Sequence, residues 1–444
     1  MKNVFFISLG CDKNLVDSEK MLAVLQKANY TIVDDEYEAE IIIINTCCFI
    51  GDAKEESIQS ILEMALLKET GKCQLLLVTG CLAQRYQDEI TKELPEVDGM
   101  LGISSYPHIV QLIEAFSLPK TDAHISRFDD LEELPSLTKR TLTTGGHYAY
   151  LKIAEGCNKH CTYCVIPSVR GNYRSVPMEK LILEANELVE NGVRELILVA
   201  QETSMYGIDC YGKKTLPALL EQLSLIKGLY RIRIMYCYPE EINEELIMAI
   251  KTLPKVCHYL DIPIQNANND ILKRMGRHTT KEEISELIKR LREEIPDIVL
   301  RTTLITGFPG ESEEAFEENL AFVREMKFER LGVFSYSPEE GTPSASFIDQ
   351  IDEETKEYRK NEIMLLQQEI VFEKMQTYIG TIVDVMIEGF IPDGGVFVGR
   401  TYMDAPNVDG LIFIQSDEPF MSGDFIKAEI IGVNEYDFVG EYLP

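Results

Sequence analysis

The chain has 444 residues, 45% hydrophobic and 26% charged, which is enough for two or three globular domains and unlike a fibrous or disordered composition. Its net charge of -31 argues against nonspecific attraction to phosphate backbones; a basic partner is the natural complement, with solubility alone as the other reading. The opening residues lack a cationic stretch followed by a long apolar one, and no window could span a bilayer, so a cytoplasmic protein without a membrane partner is expected. Its eleven cysteines then read as reduced thiols and not as a disulfide framework.

Residues 1–118 read as alternating strands and helices. Apolar runs at 4–8, 41–44 and 75–78 are separated by helical patterns at 17–27, with Met21, Leu22, Val24 and Leu25 on the apolar positions, and at 53–68. Continuous apolar strands alternating with helices predict a parallel sheet covered on both faces. The strands run out at Cys11, at Cys47-Cys48 and at Cys81, so the rim where such sheets bind ligands receives thiols from three places in the chain. Successive strand residues face opposite sides, so only one of Cys47 and Cys48 can face that rim. Three thiols there suit a [4Fe–4S] cluster with one iron left open, or else are buried small hydrophobes. Residues 119–144 are polar and acidic without periodicity, the pattern of a linker.

From 145 to 375 the chain repeats a strand and helix unit. Strands are predicted at 147–154, 195–200, 231–236, 259–263, 299–306 and 330–334, with helices near 179–190, 217–226, 244–252, 281–293 and 313–326, an incomplete parallel (β/α)6 barrel of the TIM type. After the first strand comes Gly156-Cys157-Asn158-Lys159-His160-Cys161-Thr162-Tyr163-Cys164. The C-x3-C-x2-C spacing can hold three irons of a [4Fe–4S] cube and leave the fourth open. Zinc is the first alternative, although structural zinc usually takes two separated ligand pairs and the one candidate fourth ligand, His160, lies between two of the cysteines; buried inert cysteines are the second, although nothing in packing calls for this spacing. Gln201 and Glu202 follow the second strand, and Gly307 and Gly310 follow the fifth; a carboxylate and two glycines there suit a cofactor pocket, or turn chemistry alone. Residues 352–375 form an amphipathic helix with Ile363, Leu366, Ile370 and Met375 near one stripe.

Residues 378–444 switch to short β-rich runs at 381–385, 396–398, 411–414 and 425–431, a small all-β barrel. Its 2 basic residues, Arg400 and Lys427, stand against 12 acidic ones. Small barrels of this kind often bind RNA, yet an RNA-binding face needs a basic patch, and this one lacks it.

The triple-cysteine loop with Tyr163 before its last cysteine resembles the signature of radical S-adenosylmethionine (SAM) enzymes. Ser8-Leu9-Gly10-Cys11-Asp12-Lys13-Asn14, Asn45-Thr46-Cys47 and Thr79-Gly80-Cys81-Leu82-Ala83-Gln84 resemble the amino-terminal domain of methylthiotransferases, in which a radical SAM core and a TRAM barrel follow in the order seen here. The resemblance implies a transferase with two [4Fe–4S] clusters. Cys157, Cys161 and Cys164 would carry the cluster that binds SAM and generates an adenosyl radical, with Tyr163, Gln201, Glu202, Gly307 and Gly310 as SAM contacts. Cys11, Cys47 and Cys81 would carry the cluster that presents sulfur, Cys47 being preferred to Cys48 on the resemblance alone. Within the family, Gly10-Cys11-Asp12-Lys13-Asn14, the run Val165-Ile166-Pro167-Ser168-Val169-Arg170-Gly171 and Asp404-Ala405-Pro406 resemble the branch that methylthiolates an aspartate β-carbon of small-subunit ribosomal protein number twelve. A tRNA adenosine methylthiotransferase is the alternative, disfavoured by the acidic barrel, and a noncatalytic iron–sulfur scaffold is a second. Asp12 departs from the proline more usual in that branch, and the extra Cys48 departs from the second motif. Nothing in the sequence identifies the electron donor.

Overall fold

The computed structural model describes residues 2–116, 125–135 and 139–444. By its contacts the chain forms two units: residues 1–143, 152–184 and 339–342 make one, and 144–151, 185–338 and 343–444 the other. Among the described residues no helix is long and apolar enough to cross a membrane.

The first unit is built on β1 (Asn3–Ser8), β2 (Thr31–Ile32), β3 (Ile41–Thr46), β4 (Leu75–Gly80), β5 (Gly99–Leu101) and β6 (Ile125–Arg127), a sheet in the order β2-β1-β3-β4-β5-β6 with parallel neighbours throughout. β3 and β4 are buried along their whole length because helices cover both faces. Ile42, Ile44, Leu76 and Val78 join one core with Ile61, Leu82 and Ile90, while Ile41, Ile43, Leu75 and Leu77 join the other with Leu25, Ile109 and Leu112. This is the period-two sorting that a doubly covered parallel sheet requires.

The expected helix at 17–27 starts earlier, at Asp12, since the polar Lys13, Asn14, Asp17, Ser18 and Glu19 are buried, the last four hydrogen-bonded to strand ends or neighbouring segments, and so hide the apolar period. The helix expected at 53–68 runs Gly51–Ala65 and is followed by the short Leu67–Thr70. The stretch read as a linker, 119–144, lies partly outside the described residues, at 119–124 and 136–138; its described part is not a bare linker. Ile125–Arg127 pairs with β5, and Arg140 and Thr143 bond to Glu19.

Residues 152–184, read from sequence as part of the central barrel, group by their contacts with the amino-terminal unit. Val165 and Val169 enter its core, and β8 (Ala154–Glu155) pairs with β9 (Arg174–Ser175).

The second sheet runs β14 (Arg330–Ser335), β13 (Val299–Thr306), β12 (Val256–Asp261), β11 (Arg231–Ile234), β10 (Glu195–Val199), β7 (Tyr148–Lys152), so the strands follow one another in chain order without reversal. That one-way winding is the partial barrel predicted, with helices such as Glu244–Thr252 and Glu313–Met326 between the strands. The long helix Glu353–Gln376 buries Ile363, Ile370 and Met375 as expected, but Leu366 is only half-buried and its neighbour Gln367 is buried instead, donating to the Phe328 carbonyl at 2.8 Å.

At the carboxyl end, β15 (Ile382–Ile391), β16 (Val396–Arg400), β17 (Ile412–Gln415), β18 (Phe425–Asn434) and β19 (Asp437–Leu443) close a barrel in the order β15-β16-β17-β19-β18. β19, which the sequence reading omits, is the strand that closes it through a parallel pairing with β17. The turn after β16 meets residues that enter the larger sheet: Arg231 and Arg233 donate to the carbonyls of Arg400 and Tyr402 at 3.0 and 2.7 Å, and Tyr259 donates to Asp409 at 2.7 Å.

Candidate functional site

The order β2-β1-β3-β4-β5 reverses direction at β1, and the crevice at the carboxyl ends of β1 and β3 is where such sheets bind ligands. Cys11 follows β1 and caps the helix Asp12–Lys27, Cys47 follows β3, and Cys81 opens the helix Cys81–Arg85 after β4. Gly10 and Gly80 precede two of these cysteines with φ of 83° and 91°, in the left-handed region. A Cβ on Gly10 would stand 2.6 Å from the Cβ of Cys47 and 2.8 Å from its Sγ, so the Cys47 side chain lies directly on the turn that leads into Cys11. Ser57 fixes Cys47 by accepting its N–H at 3.0 Å and donating to its carbonyl at 2.9 Å. Cys48 is fully buried in the core with Ile42, Ile44 and Ile61. Burial pushes the Cys47 thiol up to about 12, and Cys81 and Cys11 nearby add to this. Burial raises Cys81 as well, opposed by the cation of Arg170.

The second triad lies on the loop after β7. Gly156 has a φ of 80°, and a Cβ there would fall 2.1 Å from the carbonyl oxygen of Asn172, so the chain needs glycine to turn into Cys157. The Cys157 N–H donates to Gly171 at 3.2 Å and the Cys164 N–H to the Cys161 carbonyl at 3.0 Å, closing the loop around its thiols. Cys157 and Cys161 are buried, Tyr163 and Cys164 are half-buried, and His160 is exposed. Burial pushes the Cys164 thiol up to about 12, with Cys161 and Cys157 adding to it. Among the described residues no three His, Cys, Asp or Glu side chains converge as a single metal ion requires. Thiols that each bind a separate iron of a cube need no such convergence.

Arg170, six residues after Cys164, has a side chain only 1% exposed and joins the surroundings of both triads. It donates to Cys81 Sγ at 3.5 Å, Asn14 Oδ1 at 2.8 Å, Glu155 Oε1 at 2.8 Å and Asp17 Oδ2 at 3.4 Å. Lys152 bonds to the same Asp17 and to Glu155 Oε2 at 2.7 Å, so two buried cations face two buried carboxylates. Sequence reasoning assigned Arg170 no role; its signal was the Val165-to-Gly171 run beside the cysteine loop. The Gly-Cys dipeptide recurs at 10–11, 80–81 and 156–157, one sequence signal common to both triads.

The expected SAM contacts in the second unit lie at the carboxyl ends of their strands. Glu202 is buried, and its Oε1 accepts from the Ser204 N–H at 3.0 Å and from the Ser204 hydroxyl; Gln201 beside it is half-buried. Gly307 and Gly310 have φ of 69° and 85°. The space for a side chain at Gly307 is filled by Lys356, whose Cγ would stand 2.2 Å from a Cβ, and at Gly310 by Asp349 and Arg274. Their glycine requirement is therefore met within the chain itself. Glu311 anchors the turn, accepting the Gly307 N–H at 2.7 Å and Arg359 at 3.0 Å. Cys210 is exposed, and Cys237 and Cys257 are buried.

Comparison with known proteins agrees with this order of parts. Residues 3–102 match the model of Uncharacterized protein family UPF0004, 151–323 that of the Radical SAM superfamily, and 379–443 that of the TRAM domain. The structure of the radical S-adenosylmethionine methyltransferase TsrM from Kitasatospora setae shares the fold at 13% identity, with a TM-score of 0.58 over 78% of this chain and 77% of that one. The cobalamin-dependent SAM radical enzyme OxsB aligns at 14% identity and a TM-score of 0.54 over 84% of this chain and 56% of that one. The partial barrel with its three-cysteine loop thus defines a radical SAM enzyme. The ribosomal protein uS12 methylthiotransferase RimO of Lachnoclostridium phytofermentans is 56% identical over 98% of this chain and 99% of its own length. RimO of Thermoanaerobacter sp. is 49% identical over 100% of both chains, and that of Acetivibrio thermocellus 50% identical over 100% of this chain and 98% of its own. The chain belongs to the RimO family of radical SAM methylthiotransferases, which work with SAM and two [4Fe–4S] clusters.

Proposed function

We propose that this enzyme, working in the cytoplasm, adds a methylthio group to the aspartate β-carbon of small-subunit ribosomal protein number twelve, uS12. In this reading Cys157, Cys161 and Cys164 hold the cluster that binds SAM, and Cys11, Cys47 and Cys81 hold the auxiliary one. The division of labour assigns 1–118 to sulfur presentation, 145–375 to SAM cleavage, with its cysteine loop grouped in the amino-terminal unit, and 378–444 to the substrate, with 119–144 between the first two. The observation that carries the reading is the presence of two distinct thiol triads, each led in by a left-handed glycine and each half or more buried. When bound, one cluster supplies reductive cleavage of SAM and the other a sulfur donor, roles that one open iron cannot fill together.

The chain's own residues prepare both sites. Gly10 and Ser57 hold Cys47 at the rim, burial keeps water from Cys47, Cys81, Cys157 and Cys161, and Arg170 places a cation and an N–H on Cys81. Thiols held up near 12 must lose protons to become ligands, so cluster assembly releases protons and is favoured by rising pH. The acidic small barrel, with 12 acidic and 2 basic residues, suits a basic protein partner better than tRNA.

Mass spectrometry of ribosomal proteins from cells with and without the gene tests this. The uS12 aspartate should lose the mass of one methylthio group in the deletion strain. An unchanged uS12 together with loss of a tRNA methylthio nucleoside would overturn the choice of substrate.

A further inference from the structure

One guanidinium links a cysteine of the first triad to the strand that leads into the second. Arg170 touches Cys81 directly, and its other nitrogen reaches Glu155, two residues before Cys157. It also donates to Asn14, whose Nδ2 in turn donates to the carbonyls of Leu9 at 3.0 Å and Thr46 at 2.9 Å, the residues just before Gly10-Cys11 and Cys47. Arg170 is thereby fastened to the chain beside all three auxiliary cysteines and beside the first cysteine of the other triad. Arg174 donates to the Arg170 carbonyl at 2.7 Å and holds the end of its helix. Lys152 and Arg170 balance Asp17 and Glu155 before any thiolate forms, so each negative charge added at Cys81 falls on an N–H already pointed at it.

We propose that Arg170 is a positioning residue that sets the reduction potential of the auxiliary cluster by donating an N–H···S hydrogen bond to Cys81. This rests on the reading of Cys81 as a ligand of that cluster. A cluster gains negative charge when reduced, and a buried cation with an N–H aimed at a ligand sulfur stabilises the reduced form, which raises the potential. Lysine would keep the charge but lacks the planar fork by which Nη1 reaches Glu155 and Asp17 while Nη2 reaches Cys81 and Asn14.

The test uses the full-length protein with Cys157, Cys161 and Cys164 replaced by Ala, reconstituted anaerobically with iron and sulfide so that it holds the auxiliary cluster alone. Its midpoint potential is read by a redox titration followed by electron paramagnetic resonance, for Arg170, Arg170→Lys and Arg170→Met. The expected result is a potential that falls from Arg to Lys to Met while iron content per chain in Arg170→Lys stays that of the parent. The same potential in Arg170→Lys and the parent, both fully loaded, would overturn the proposal, and so would loss of the cluster from Arg170→Lys, which would make the residue one of assembly only. Failure of the parent itself to bind iron would instead count against Cys81 as a ligand. Arg170→Lys in the converse background, with Cys11, Cys47 and Cys81 replaced by Ala, should leave the potential of the SAM-binding cluster unmoved.

Discussion

Gly10 leaves no room for a side chain because the Cys47 Cβ and Sγ occupy it, 2.6 and 2.8 Å from where a Cβ would stand. Gly10→Ala meets both this overlap and a φ of 83°, which L-residues adopt at a cost of roughly 1–2 kcal/mol. Overpacking adds about 1–3 kcal/mol. The variant should fold with a lower melting temperature and bind about half the iron of the parent after reconstitution, because Cys47 is displaced from the rim while the loop at 156–164 is untouched. Iron analysis with circular dichroism melts checks both effects.

Cys47 and Cys48 separate by environment. Cys48 is fully buried among Ile42, Ile44 and Ile61, and Cys48→Ala removes one buried group of about methyl size, costing about 1 kcal/mol. It should keep both clusters. Cys47→Ala should lose the auxiliary cluster, while the cluster-free chain loses about as much stability as in Cys48→Ala, roughly 1 kcal/mol. Iron and sulfide content of the two variants, measured side by side, decides; full loading of Cys47→Ala with depletion of Cys48→Ala would reverse the assignment.

The triads should fail differently. With Cys157, Cys161 and Cys164 replaced by Ala, formation of 5′-deoxyadenosine from SAM should stop, since Cys210, Cys237 and Cys257 lie far apart in sequence and offer no closely spaced replacement. With Cys11, Cys47 and Cys81 replaced, 5′-deoxyadenosine should still form while methylthiolated product does not. Chromatography of the nucleoside and mass spectrometry of the peptide product separate the two activities. Loss of nucleoside formation in the second variant would contradict separate roles.

What the sequence made legible was whatever is local. β13 (Val299–Thr306) carries the bounds expected from its apolar run, and the cysteine loop was visible as a spacing. What it hid depends on distant partners. Arg231-Ile232-Arg233-Ile234 alternates like a strand with one wet face, yet both arginines are buried because they meet Glu195 and the turn after Arg400. Arg400 reaches Glu195 across 205 positions of chain, and no window of periodicity contains both. Arg170 was hidden in the same way, since Cys81, its partner, lies 89 positions earlier.

Glu195 sits at the centre of the fully buried ion triad, with Arg233 Nε on one oxygen and Arg400 Nη2 on the other, each at 2.9 Å. Burial works to raise its pKa, but the guanidiniums of Arg400 and Arg233 outweigh it and hold the carboxyl down from 4.5 to about 2. A depressed folded-state pKa means the unfolded chain takes up protons first as the pH falls. The stability contributed by Glu195 is therefore complete above about 4.5 and is lost as the pH drops through that value toward about 2. Glu195→Gln leaves two buried guanidiniums without their carboxylate and should destabilise the chain by about 3–5 kcal/mol near neutral pH. The difference in melting temperature between parent and variant, measured on the cluster-free full-length chain, should be large near neutral pH and shrink at about pH 3, where the parent is losing the same interaction. A gap that stays constant across that range would mean that Glu195 contributes through packing and not through its charge.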